Sequence, residues 1–402
     1  MKQKYLQENE TGYTPRLLME EASRCLLCHD APCSKSCPAG TDPAKFIRSV
    51  RFQNIKGAAE TIRINNLFGA VCARVCPTER YCQYGCSRSG IDKPIDIARI
   101  QRYVTDFEDA NKMKILEKAP RVNKKVAIIG AGPAGLSAAG ELALKGVDVT
   151  VYEKESEAGG YLRYGIPSYR LPTQVVDKEI KRIVSLGVKV VTNHEVKDLE
   201  KLKKEYDAVI MAIGFGEGKT LDMFKNNPHV ELATAFLKRV KERKGDVSLP
   251  DRALVIGGGD VAMDVVTTLK KLGVRYVNDV VYETFAEFKA SKKELQNARE
   301  EGVSIMDGYI PTKCQEDEVT FHHRFLDAEI RIKSPLIILA IGQKIHVGSL
   351  GVDVTAAGEV NPRNGKVFAC GDIARGNDKT VVYSVRSGKE VSTKVAQYLG
   401  VK

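Results

Sequence analysis

Eight of the ten cysteines fall between Cys25 and Cys86, and their spacing is that of ligands. Cys25, Cys28, Cys33 and Cys37 run C-x2-C-x4-C-x3-C-P, and Cys76, Cys82 and Cys86 follow as C-P-x4-C-x3-C. Thiolates are the soft donors that hold iron–sulfur clusters. In two-cluster ferredoxins the last cysteine of a C…C-P run ligates the other cluster. The same interleaving sends Cys37 to a second cluster and leaves the first in need of a distant ligand. Zinc is the competing reading, because C-x2-C pairs also make zinc ribbons. Structural disulfides do not suit a reducing compartment. Seven cysteines fit two clusters and Cys72 is left over. Either both clusters are held by cysteine alone, using all eight, or one takes another donor. Ile97, Ile100, Val104 and Phe107 form an apolar stripe at helical spacing. Gln101 lies on that stripe, where a buried amide needs a partner such as iron.

The second chemistry is nucleotide binding. Val126 to Ile129 reads as a buried strand, and Gly130-Ala131-Gly132-Pro133-Ala134-Gly135 follows it as G-x-G-x-x-G. The first glycine permits the tight turn, the second lets backbone approach a pyrophosphate, and the third lets helix pack on strand. Leu136 to Leu144 is the expected helix, its positive N-terminus facing the phosphates. Val147 to Tyr152 is the next strand, and Glu153 ends it where a carboxylate can accept from a ribose diol. Gly159-Gly160 and RYGIPSYRLP (Arg163 to Pro172) come next. These resemble the flavoprotein disulfide-reductase-like superfamily, in which the glycine pair continues the FAD site. Near the end, VFACGD (Val367 to Asp372) is a short strand closing on Gly371-Asp372, and Lys379-Thr380 opens an apolar helical stretch. The resemblance places Asp372 at the ribityl chain and Thr380 at the helix start that faces the flavin.

A second copy follows. Leu254 to Ile256 is a buried-type strand, and Gly257-Gly258-Gly259-Asp260-Val261-Ala262 reads G-x-G-x-x-A. The strand Val277 to Tyr282 is expected to end at Glu283. An anion there accepts from the free 2′-hydroxyl of NAD and repels the 2′-phosphate of NADP. Lys289 lies near enough in sequence to offset it. AVIMAIGFG from Ala208 and LIILAIGQK from Leu336 form another matched pair. The spacing of the two copies is far too long for a solenoid, so the duplication implies two similar nucleotide domains.

These sites need scaffolding, and the chain has enough for it. At 402 residues and 43% apolar content it should form two or three domains with buried cores. The expected fold class is α/β: an N-terminal helical Fe–S domain, then two Rossmann-like domains, with the NAD(P) domain inserted in the FAD domain. The expected bounds are 1–118 for the helical domain, 124–249 and 336–402 for the FAD domain, and 250–335 for the NAD(P) domain. A helical stretch is expected from Pro94 to about Met113, and LEKAPRVNKK reads as the linker after it. The start, MKQKYLQENE, has no apolar signal core, and no apolar stretch is long enough to cross a bilayer. The expectation is therefore a cytoplasmic protein with no membrane contact. The net charge of +11 is spread along the chain. It suits a solvated surface or a face for an acidic partner, and no nucleic-acid motif accompanies it. Cys370 sits inside the VFACGD strand and reads as a small apolar residue, and Cys314 and the six histidines have no motif around them.

LLMEEASRCLLCHDAPC, FGAVCARVCPTERYC, GIPSYRLP and VIGGGDVAMDV together resemble one family over essentially the whole chain. It is the small subunit of bacterial NAD-dependent dihydropyrimidine dehydrogenase. The chain also resembles the N-terminal half of the single-chain mammalian enzyme and the glutamate synthase small subunit. The resemblance implies Cys25, Cys28, Cys33 and Cys86 at one 4Fe–4S cluster and Cys37, Cys76, Cys82 and Gln101 at a second, leaving Cys72 without a ligand role. It implies that Arg170 contacts FAD. It implies that Gly258, Gly259, Asp260, Val261, Lys289 and Gly342 contact the nicotinamide nucleotide. NADPH-dependent relatives carry a basic pair where this chain has Tyr282-Glu283, which favours NADH. The implied function is electron input: from NADH through FAD and two 4Fe–4S clusters to a partner that reduces uracil or thymine. Since no FMN-site region follows in this sequence, that partner is expected to be the FMN-containing large subunit. Feeding a different acceptor, as in glutamate synthase, is the alternative. A non-enzymatic redox scaffold would not need a phosphate-approaching glycine twice. No side chain is expected to act as general acid, base or nucleophile, because the cofactors carry the chemistry.

Overall fold

Short, separately capped helices build the cysteine-bearing region of the computed structural model. The structure describes residues 2–345, 350, 352–354, 360–361, 365–374 and 378–401. Helix Pro15–Ser23 begins with proline at its first position, and Leu17 N–H donates to the Thr14 hydroxyl. Helix Pro43–Arg51 repeats the arrangement on Asp42, which accepts from Lys45 N–H. Helices Ile55–Asn65 and Gly69–Val75 follow. The stretch expected over 94–113 is a helix over Ile97–Ala110, capped by Asp96. Leu18, Phe46, Ile47, Val50, Ile62, Ile97, Ile100 and Val104 share one core, with Cys82 inside it and Cys25, Cys33 and Cys86 against it. Each fully buried aliphatic or Phe side chain there contributes about 1.5–3 kcal/mol.

The same compact unit contains a five-stranded parallel sheet. Its order is Val367–Ala369, Ala208–Met211, Lys125–Ile129, Asp148–Tyr152 and Lys189–Val191. The strand latest in sequence pairs with Ala208–Met211, so the sheet is completed only after an intervening insertion. Helix Pro133–Leu144 follows the first strand and packs on the C-terminal helix Val381–Leu399. The two approach closely at Gly388, where a Cβ would lie 2.5 Å from the Ala134 carbonyl. A buried ion network joins the helical region to this fold. Arg63 pairs with Glu108 (2.7 Å) and Glu179 (2.9 Å), and Arg182 closes on both carboxylates.

The second unit comprises Met1–Asn9, Tyr164–Pro172 and Gly216–His346. Its parallel sheet runs Val230–Leu232, Ile337–Leu339, Arg252–Ile256, Tyr276–Val280 and Ser304–Met306. A three-stranded antiparallel sheet, Tyr309–Gln315, Glu318–His323 and Glu329–Lys333, is added to it. The unit is wider than the expected 250–335 because Ile337–Leu339 pairs with Leu254–Ile256 instead of returning to the first sheet. The expected helical domain of 1–118 also loses its first residues to this unit. Tyr5 is buried in its core, edge-on to Tyr169 at 6.0 Å. Ala208–Met211 and Ile337–Leu339 hold the same place beside the first strand of their respective sheets. That is the structural content of the sequence duplication.

Candidate iron–sulfur and nucleotide sites

Cys25, Cys28, Cys33 and Cys86 line a single pocket with Pro32, Ala44, Ile47, Ile95 and Ile97. Cys86 comes from the end of the cysteine region, so the loop that carries it closes the set. The pocket is apolar. Burial pushes the Cys33 thiol up to about 11, and the charges of Cys86 and Cys25 add to the effect. Burial likewise raises Cys25. Thiolates gathered without a cation repel one another, and a cationic iron–sulfur core is the partner that removes the penalty. Among the described residues no three His, Cys, Asp or Glu side chains converge tightly enough to hold a single ion. Cluster ligands, each bound to its own iron, stand further apart than the four ligands of one zinc.

The other cysteines gather around helix Gly69–Val75. Burial pushes the Cys76 and Cys82 thiols well up. Cys72, Cys82 and Cys37 add to it at Cys76, and Cys37 and Cys33 at Cys82. Thr41 N–H points at Cys37 Sγ (3.4 Å). Gln101 is buried, and its Nε2 donates to the Gly69 carbonyl (2.7 Å). Its amide oxygen is the donor a ligand role would use. Cys72 is near this group as well: burial pushes its thiol up to about 12, an Asn66 hydrogen bond opposes this, and Cys37 adds to it.

In the first nucleotide fold the glycines are there for steric reasons. Gly130 has φ +103, and a Cβ on it would lie 2.4 Å from the Ala212 carbonyl; one on Gly135 would lie 2.1 Å from the Gly130 carbonyl. Gly132, by contrast, opens onto free space at the start of its helix, where a phosphate would approach. Glu153 is buried at the end of the second strand. Ala131 N–H donates to its Oε2 (2.8 Å), so the carboxylate is clamped beside the loop. Gly159 and Gly160 both have positive φ, and Gly160 packs on Gly132, 2.9 Å from Cα to the place of a Cβ. Gly371 N–H donates to Ser387 (3.0 Å). Burial raises the Asp372 carboxyl, with Lys379 opposing. Thr380 is the N-cap residue of Val381–Leu399. The helix expected from Leu136 begins at Pro133.

The second copy repeats the plan with one change. Gly257 has φ +149 against the Ala340 carbonyl, and Gly259 again opens onto free space. Ala262 is buried, and Asp260 opens the helix and accepts from Ser291 N–H (2.7 Å). Val261 packs against the unit's core, and Gly342 has φ +106, its carbonyl accepting from Lys219 N–H (2.9 Å). The strand ends at Val280, not Tyr282. Matching Ile256↔Val280 to Ile129↔Tyr152 puts buried Val281 in the place of Glu153. Glu283 lies two residues further on, yet its Oε2 is 3.1 Å from where a Gly258 Cβ would be. Lys289 Nζ donates to its Oε1 at 2.5 Å.

Residues 2–113 match the family model for dihydropyrimidine dehydrogenase domain II, 4Fe-4S cluster, and residues 124–388 that for pyridine nucleotide-disulphide oxidoreductases. The chain is 52% identical, over 99% of its own length and 98% of the relative's, to NAD-dependent dihydropyrimidine dehydrogenase subunit PreT of Salmonella typhimurium. This chain belongs to the PreT family. The Escherichia coli PreT is 51% identical over the same shares. The fold is also similar to that of thioredoxin reductase: the T. acidophilum enzyme superposes with a TM-score of 0.54 at 18% identity, over 69% of this chain and 99% of that one. The PreT-family chain is thus an oxidoreductase with a helical Fe–S domain and two Rossmann-like domains, one inserted in the other. FAD, NADH and 4Fe–4S clusters are the cofactors of these family models. Among the described residues no helix is long and apolar enough to cross a membrane.

Arg170 has a role that its sequence context did not reveal. It belongs to the second unit, where its guanidinium is held by both oxygens of Asp264 (2.7 and 2.8 Å) and by Glu294 (3.0 Å). Burial pushes the Asp264 carboxyl up to about 7 against the pull of Arg170. Asp264 and Glu294 were missed as a pair because 30 residues of chain separate them. Tyr81 was missed too, although it stands directly before Cys82.

Proposed function

We propose that this chain is the electron-input subunit of an NAD-dependent dihydropyrimidine dehydrogenase. Convergence of Cys25, Cys28, Cys33 and Cys86 on one apolar pocket carries the reading, because it gathers four thiols where a cluster would be held. When bound, the cofactors supply two-electron acceptance from NADH and one-electron delivery onward. The residues do the rest. Cys25, Cys28, Cys33 and Cys86 would hold one cluster; Cys37, Cys76, Cys82 and the Gln101 amide the other. Gly132 and the helix start after it would receive the FAD pyrophosphate, and Glu153 a ribose hydroxyl. Gly159 and Gly160 continue that site, with Asp372 toward the ribityl chain and Thr380 toward the ring. Gly257 to Ala262, with Glu283, Lys289 and Gly342, would receive NADH. The partner is the FMN-containing large subunit, which would reduce uracil or thymine, and the setting is the reducing cytoplasm that free thiols require. Anaerobically purified chain should contain about eight iron atoms and one FAD, and NADH should bleach the flavin. Zinc in place of iron, or flavin that NADH leaves oxidised, overturns the reading. Uracil reduction should then require the partner, identified as the chain that co-purifies from the host.

A further inference from the structure

Tyr81 makes a link that no cofactor motif demands. It is buried beside Cys82, and its hydroxyl donates to Asp378 Oδ2 at 2.6 Å and lies 3.4 Å from the Thr380 hydroxyl. Its ring packs on Tyr383 at 5.8 Å. Asp378 and Thr380 lead into helix Val381–Leu399, which carries Tyr383, nearly 300 residues away in sequence. Both ends of the link are stiff. On the cysteine side, Thr78 O accepts from Tyr81 and Gln83 N–H, Tyr81 O accepts from Gly85 N–H, and Gln83 O accepts from Cys86 N–H. A shift of Tyr81 is therefore a shift of Cys82. On the helix side, Thr380 N–H donates to the Asp378 carbonyl (2.7 Å), and Lys379 Nζ lies over the Phe215 ring at 4.4 Å. Further along the helix Lys389 Nζ donates to the carbonyls of Ala39 (2.9 Å) and Asn65 (2.6 Å), a second tether that holds when the first is cut.

We propose that Tyr81 is a positioning residue: its hydrogen bond to Asp378 sets the distance between the Cys82 loop and the helix start that faces the flavin. The inference rests on the cofactor reading above. The hydroxyl keeps its proton throughout, and no covalent bond is made or broken at it. Its effect is on spacing alone, and spacing is costly to lose: a misplacement of about 1 Å costs on the order of a hundredfold where reacting groups must be held in place.

The test is Tyr81→Phe in the full, cofactor-loaded chain, a substitution that keeps the ring and its contact with Tyr383. Iron and FAD per chain should equal wild type, and NADH should bleach the flavin at the wild-type rate. Cluster reduction, followed by freeze-quench electron paramagnetic resonance, should slow by about tenfold, and the spectrum of the reduced cluster should change. Asp378 is exposed, so Asp378→Ala should fold normally and reproduce the defect. Asp378→Asn, which keeps an acceptor oxygen, should restore most of the rate. Wild-type cluster reduction in both Tyr81→Phe and Asp378→Ala overturns the proposal. So does iron loss in Tyr81→Phe, which would make the residue a support of the cluster itself. Failure of the underlying reading would look different: wild-type chain would lack iron or flavin.

Discussion

The proposed NAD site makes Glu283 the residue that tells NADH from NADPH, and the structure sets the size of the effect. The Glu283 side chain is 15% exposed and that of its partner Lys289 is 75% exposed. The carboxylate therefore stays beside the glycine loop, 3.1 Å from the place of a Gly258 Cβ, while the ammonium faces water. A carboxylate accepting from the 2′-hydroxyl contributes about 1.5–3 kcal/mol. Against a 2′-phosphate, two unit charges 4 Å apart cost about 4 kcal/mol at an effective dielectric of 20. The nearby ammonium and mobile ions screen much of that repulsion. Even with the repulsion fully screened, the hydrogen bond leaves about 1.5–3 kcal/mol, on the order of tenfold to a hundredfold in kcat/KM for NADH over NADPH. Glu283→Gln should reduce the preference to less than about tenfold, because a neutral amide no longer repels phosphate. Glu283→Arg should turn it toward NADPH, and Lys289→Met should sharpen the wild-type preference. Steady-state diaphorase rates with both nucleotides, at two salt concentrations, measure each ratio. Equal use of the two nucleotides by wild type refutes the assignment, as does a Glu283→Arg ratio that does not move.

Three further outcomes follow from buried groups. Arg63→Met leaves Glu108 and Glu179, 1% and 0% exposed, with Arg182 as the remaining cation against them among the described residues; the midpoint of urea unfolding should fall by an amount worth about 3–5 kcal/mol. Cys72→Ala should keep iron near the wild-type level, whereas Cys82→Ala should lose a cluster; equal loss in both would show the ligands wrongly assigned. Asp279 lies fully buried, with neither oxygen hydrogen-bonded among the described residues, and burial raises its carboxyl well above the ordinary 3.8. The folded state holds that proton more tightly than the unfolded one, so this group's contribution to stability is lost as pH rises from about 4 through the raised value. Asp279→Val should therefore unfold at a higher temperature than wild type at neutral pH by about 1–3 kcal/mol of added stability, an advantage that shrinks toward pH 4.

How much could be read from the sequence depended on what constrains each residue. The cysteines were legible because ligation fixes their type and spacing, and the structure brings Cys86 to the pocket of Cys25, Cys28 and Cys33. The glycines were legible because a side chain at Gly130 or Gly257 would strike a carbonyl 2.4 Å away. The strand before Glu283 was misjudged by two residues because apolar alternation continues past the point where pairing stops. The last pair is Val280 with Met306, and Val281, buried but outside the ladder, looks the same in sequence. Partners were not legible at all. Nothing local marks Tyr5 for the core of the second unit, Ile337–Leu339 for the inserted sheet, or Arg170 for Asp264 and Glu294. Such pairings are decided by which surfaces meet once the elements have formed, and burial rewards any apolar face that fits. The groups that hold cofactors are thus fixed by the covalent geometry of the ligand and repeat as motifs. The groups that hold those groups, such as Arg63 beneath the Gly69–Val75 helix through Glu179 and Ala70 N–H, answer only to their neighbours in space.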